Sequence, residues 1–244
     1  MNYWIQISCN IIGGIIVAFF TILCIKLNKK YYKFNFKRIF GKDSNENFHI
    51  VYGNMNIRAP IFDSNGETIK FPYYKPGKES HLFRGSSVVS LAEMRSAKYL
   101  SESFGKFINV APKLISDFEI REKLDISFCS LGGHNNFKTE DVLNSSENIF
   151  FYFDEEGWIC VKEDEKKRFC IQDNYDYGFI IKIIPKNFPN RVWIAVAGIG
   201  EWGTSGAVWF LSKKWNKMPK NKPFGMIIKV RSGQDESAEM IYNI

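Results

Sequence analysis

The sequence spells no Cys-x-x-Cys pair, no Gly-Lys-[Ser/Thr] phosphate loop, and only three histidines in 244 residues. Its five cysteines, Cys9, Cys24, Cys129, Cys160 and Cys170, are odd in number, and two of them fall in an apolar segment. That usage argues against a disulfide framework and against zinc, and it fits a reducing compartment. There is no nucleophile elbow, catalytic triad or metal cluster, no internal repeat and no low-complexity segment. No metal and no cofactor are therefore expected.

Charge is also missing where its absence is informative. Tyr3 to Ile25 is 23 residues without a charge, and Lys26 to Lys42 carries seven bases without an acid. The chain has 33 basic and 26 acidic residues, so outside that basic stretch the two signs balance at 26 each. A nucleic-acid-binding domain is expected to carry a basic face of its own. The balance suggests none here, and nucleic acid is not an expected partner.

The uncharged run is long enough to cross about 30 Å of hydrocarbon as a helix. Tyr3 and Trp4 would mark one interface, and Tyr31 and Tyr32 the other. A cleaved signal peptide carries its charge before the apolar run; here the charge follows it, and no small-residue cleavage pattern appears. The reading is a single-pass membrane span at residues 1–27, with a basic juxtamembrane linker at 28–47. A cytoplasmic domain then occupies 48–244. Lys26 to Lys42 would lie against anionic lipid headgroups. Gly13-Gly14 suits close helix packing, so a homo-oligomer is compatible with the anchor.

Within the domain, apolar runs alternate with helical patterns. Strands are expected at 48–52, 125–131, 178–184, 192–197 and 224–230, with short ones at 149–153, 158–161 and 168–172. Helices are expected at 87–108, at 139–144 with Thr139 as cap, and at 204–215. A polar tail follows residue 230. The fold class is α/β: a three-layer Rossmann-like domain with a mixed sheet and a β-rich insertion. The 22 phenylalanines read as core packing.

Two loops after apolar strands carry the candidate ligand chemistry. Ala197 to Ala207 reads AGIGEWGTSGA, a strand running through Gly198, Gly200 and Gly203 into a helix. Such a turn places amides and the positive end of a helix at the sheet edge, with Thr204 and Ser205 adding hydroxyls. The acid that a dinucleotide site needs about 20 residues later is not evident, so NAD is not supported. Leu131 to Asn136 reads LGGHNN, with Gly132 and Gly133 followed by His134, Asn135 and Asn136. These side chains donate and accept hydrogen bonds, and histidine titrates near neutral pH. A third candidate joins Tyr52-Gly53-Asn54 to Arg84 before the long helix, where the guanidinium suits an anion. Glu201 and His134 are the acid–base candidates.

The order of GG-x-x-N, a YGFII-type strand and AG-x-x-x-x-GT-x-x-A resembles a largely uncharacterised prokaryotic Rossmann-like domain. That domain is found fused to membrane segments or to DNA-binding modules, and the resemblance covers about Phe48 to Val230. It implies sensing or scaffolding more than metabolism. A looser similarity extends to Rossmann-like sensors of cyclic nucleotides in bacterial defence. The leading expectation is a membrane-anchored sensor or effector that binds a nucleotide- or sugar-like small molecule. The alternatives are a tethered hydrolase or glycosidase using Glu201 and His134, and a scaffold without a ligand.

Overall fold

A computed structural model describes residues 2–54 and 89–244, with side chains described from residue 13 onward and Glu165 excepted. The segment that would carry Arg84 lies outside the described residues. The architecture is mixed α/β. Helices are α1 (Asn2–Phe40), α2 (Leu91–Ile108), α3 (Phe137–Leu143) and α4 (Glu201–Lys214). Strands are β1 (Phe48–Tyr52), β2 (Lys113–Ser116), β3 (Ser127–Leu131), β4 (Phe151–Phe153) and β5 (Ile159–Val161). They continue as β6 (Asp164–Phe169), β7 (Tyr175–Ile183), β8 (Trp193–Gly198), β9 (Phe224–Arg231) and β10 (Gln234–Asn243).

Seven strands form one mixed sheet in the order β10-β9-β7-β8-β3-β1-β2. β8, β3, β1 and β2 are parallel neighbours, while β7 pairs antiparallel with both β8 and β9. The expected β-rich insertion is a separate antiparallel sheet of three strands, β4-β5-β6.

Side chains alternate across the sheet with period two. Phe48, Ile50, Cys129 and Leu131 join one core, packed under α2, α4 and the end of α1. Val51 and Phe128 point the other way, into a second core with Val142 and Leu143 of α3 and the small sheet's Phe151, Ile159 and Val161. The large sheet is thus the middle of three layers.

Several elements depart from the sequence reading. The first part of the basic linker is helix packed on the domain: α1 continues unbroken to Phe40. Phe36, Ile39 and Phe40 are fully buried, and Phe36 meets Phe104 and Trp215 at ring-centre distances of 5.1 and 5.2 Å. Its apolar spacing i, i+3, i+4 is that of a helix docking on a core. The cap of α3 is Asn136, not Thr139. Asn136 Oδ1 accepts the Lys138 amide, and the Thr139 hydroxyl is turned inward to the Gly132 carbonyl at 2.7 Å. β2 stands where no element was expected, and β10 where a polar tail was expected.

Among the described residues, no helix is long and apolar enough to cross a membrane. What α1 does show is an apolar surface left bare. Ile15, Val17, Phe19, Phe20, Ile22, Ile25 and Leu27 are all exposed, on every side of the helix.

Candidate functional site

β3 and β8 are parallel neighbours, with Leu131 beside Val196. Both glycine turns therefore open on the same edge of the sheet, at the carboxyl ends of the parallel strands. At the α4 turn, however, the Gly200 and Gly203 amides are not free for a ligand.

At the start of α4 the acceptor is the chain's own carboxylate. Asp176, in β7, is almost fully buried and takes the amides of Gly200 at 3.1 Å and Gly203 at 2.7 Å. Burial pushes its carboxyl above the usual range, while the amides of Gly203, Gly200, Tyr177 and Trp202 pull the other way. Gly198 and Gly203 serve backbone packing: a Cβ on either would collide with main-chain atoms of the strand–helix junction. The Thr204 hydroxyl accepts from the Gly198 amide at 2.9 Å and faces the Gly200 carbonyl. The Ser205 hydroxyl donates to Asp235 of β10 at 2.5 Å and accepts from Arg95 at 3.2 Å. Arg95 also stacks 4.2 Å from the Trp202 ring, and Tyr99 donates to Asp235. This network ties α2, α4 and β10 together. Glu201 is exposed at the first turn of α4.

The second turn is divided. Asn136 is wholly buried and committed, its amide nitrogen reaching the carbonyls of Val51 and Leu131 at 3.0 and 2.8 Å. His134 is exposed, pairs with Glu140 and lies 5.1 Å from the Phe153 ring. Gly133 lies against the same Phe153 ring. His134 and Glu201 are not joined by any hydrogen bond among the described residues, so no acid–base pair is assembled from them.

What remains open lies next to the Gly132 turn. The helix α2 begins at Ser90, whose hydroxyl accepts the Glu93 amide at 3.1 Å. Ser90-x-x-Glu93 is the spelling of a capping box. Glu93 reaches sideways as well as back. Its Oε1 lies near the backbone of Gly53 and Gly132 and takes Asn135 Nδ2 at 3.4 Å. A Cβ on Gly132, which sits at φ +92°, would lie 2.5 Å from that oxygen, so only glycine leaves the carboxyl its place. Glu93 is 2% exposed, and its Oε2 has no hydrogen-bond partner among the described residues. Oδ1 of Asn54, at the end of β1, is likewise buried without one. Burial pushes the Glu93 carboxyl up to about 7. The Asn135 bond and the Ser90 and Gly53 amides oppose the shift, and the negative charge of Asp117 adds to it. Asp117 itself is spent on the amides of Asn54, Phe118 and Phe137, at 3.0–3.1 Å.

Glu93 and Asp117 were not anticipated from the sequence. The spelling Ser90-x-x-Glu93 is a signal that could have marked Glu93 as a helix-start acid, but only the strand order brings it under Gly132. Asn54 and Gly53 were anticipated as part of the third loop. No group able to hold a metal ion occurs among the described residues.

Comparison with protein-family models, with curated proteins and with solved structures gives no match. The resemblance to a prokaryotic Rossmann-like domain therefore stands on its motifs alone.

Proposed function

We propose that this chain is a membrane-tethered sensor or effector whose Rossmann-like domain binds a small polar ligand in the crevice between β1 and β3. The supporting observation is that two of the seven buried polar side-chain atoms without partners among the described residues fall together here. From β1 the chain crosses by α2 to β2 on one side, and β3 lies on the other side of β1. In open α/β sheets the carboxyl edge at such a reversal is where ligands bind. Glu93 Oε2 and Asn54 Oδ1 both lie at this reversal, buried and without hydrogen-bond partners among the described residues. Leaving such an atom unpaired costs about 1–3 kcal/mol, and perturbed carboxyls cluster at functional sites.

The chemistry favours hydroxyl or amine groups over phosphate. Asn54 Oδ1 is an acceptor, Glu93 Oε2 accepts when ionised and donates when protonated, Asp117 adds negative charge nearby, and the Gly200 and Gly203 amides already hold Asp176. A sugar or the nucleoside part of a nucleotide fits these demands.

The tether rests on the bare apolar surface of α1 and on the uncharged run from Tyr3. A helix apolar on all sides calls for apolar surroundings. The basic residues after Ile25 support a cytoplasmic side for the domain, with Lys26 to Lys33 beside anionic headgroups. α1 joins the domain near the carboxyl end of α2. The β1–β3 crevice, at the amino end of α2, therefore faces away from the bilayer.

The test is a thermal-shift screen of the full chain in phosphatidylcholine nanodiscs against nucleosides, nucleotides and sugars. The expected result is stabilisation by at least one neutral sugar-bearing compound. Glu93→Gln should weaken that binding tenfold or more, about 1.4 kcal/mol. No shift with any compound would leave a scaffold without a ligand.

A further inference from the structure

The amino edge of the sheet, opposite the crevice, holds a hollow of about 320 Å³ between the end of α1, the end of β7 and the start of β8. Its charged lining is entirely basic: Lys37, Arg38, Lys42, Lys182 and Arg191. The acids that approach it are already paired. Asp43 and Asp125 both bind Arg191, at 2.8 and 2.7 Å. Among the described residues, Lys37, Arg38, Lys42 and Lys182 make no ion pair, and the Arg38 Nε is buried without a hydrogen-bond partner.

Lys182 is the least expected member. It lies in β7, between apolar neighbours, and is 0% exposed. Its ammonium donates to the Arg38 carbonyl at 2.9 Å. That bond caps the negative end of α1, and the same carbonyl takes the Asn221 amide, while the Lys37 carbonyl takes the Gly41 amide. Two of the last four carbonyls of α1, those of Lys37 and Arg38, are thereby covered. An ammonium has three donors, and this cap uses one of them. Burial, with the Arg38 charge beside it, pulls the Lys182 ammonium down to about 8. Capping one carbonyl does not require four further cations around the same hollow.

We propose that this hollow is a binding site for a phosphate-class anion, held by Lys182 and Arg38 at its floor and by Lys37 and Lys42 at its rim. Arg38 lies 13 residues past Ile25. On the tethered reading that is about 20 Å along the helix. The headgroup layer is only roughly 5–8 Å thick. A dissolved phosphate or phosphate ester reaches the hollow at any tilt of α1, whereas a lipid phosphate reaches it only if the domain lies down on the bilayer. The site is independent of the β1–β3 crevice, and failure of one leaves the other standing.

The experiment uses the full chain in phosphatidylcholine nanodiscs, titrated with inorganic phosphate against chloride at equal ionic strength. A hundredfold excess over Kd should raise Tm by about 5–10 °C. Lys182→Met, which keeps the stem and removes the donors, should abolish the shift. Lys37→Gln with Lys42→Gln leaves the buried core untouched and should lower phosphate affinity at least tenfold. A shift in discs containing phosphatidate, without one from inorganic phosphate, would identify a lipid headgroup as the source of the same anion. No shift from phosphate or phosphatidate, or a shift that survives both sets of substitutions, would overturn the site.

Discussion

At the scale of single residues, the chain satisfies its own helix termini with carboxylates. Asp176 fills the amides opening α4, and Asp117 meets the first amide of α3. A helix N-terminus favours negative charge from any source, internal or bound. Asp176→Ala would strand buried amides at Gly200, Gly203 and Tyr177. Urea unfolding is expected to show a loss of about 2–4 kcal/mol. Formate, small enough to replace the lost carboxylate, should restore part of that loss in the variant and leave the wild type unmoved. Restoration by formate in neither protein, with stability unchanged, would mean that these amides do not depend on Asp176. None of this is visible in AGIGEWGTSGA alone. The glycines signalled a tight strand–helix turn, but the acid that fills it comes from a different strand, 24 residues before Gly200.

At the scale of elements, the strongly apolar strands were legible because burial on both faces leaves a continuous signal: 192–197 and 178–184 fall on β8 and β7 within a few residues. The elements that escaped notice are edge pieces. β10, QDESAEMIYN, is mostly exposed and joins β9 through a hairpin with two register shifts. Charges and bulges of that kind protect an edge from further pairing and also hide its period. β2 is four residues long, follows Pro112 and is largely exposed. The end of α1 escaped for another reason. Its bases mask Phe36, Ile39 and Phe40, whose apolar spacing makes the segment part of the domain. Phe36→Ala should therefore cost about 3–5 kcal/mol, measured by denaturant unfolding of the domain. A cost near zero would return residues 28–40 to the status of a linker.

At the scale of the whole molecule, the sheet separates two polar features at opposite edges: a buried carboxyl at the ends of β1 and β3, one oxygen of which has no hydrogen-bond partner among the described residues, and a basic hollow where α1 ends. The fold class followed from the alternation of strands and helices. The pairing of Glu93 with Gly53, Gly132 and Asn135 did not, because it depends on which strands are neighbours and on which side of the sheet α2 crosses.

The central claim is that Glu93, buried beside Gly53, Gly132 and Asn135, keeps its proton well above the usual carboxylate range. Its carboxyl sits near 7 in the folded chain against 4.5 as the ordinary value. Between those values the folded state keeps a proton that the unfolded state has lost, so stability falls as pH rises and levels off above 7. The direct measurement is unfolding free energy of the intact chain from pH 4 to 8, for wild type and Glu93→Gln. The wild type should lose about 3 kcal/mol more than the variant across that range. Superimposable pH profiles for the two proteins would contradict the account.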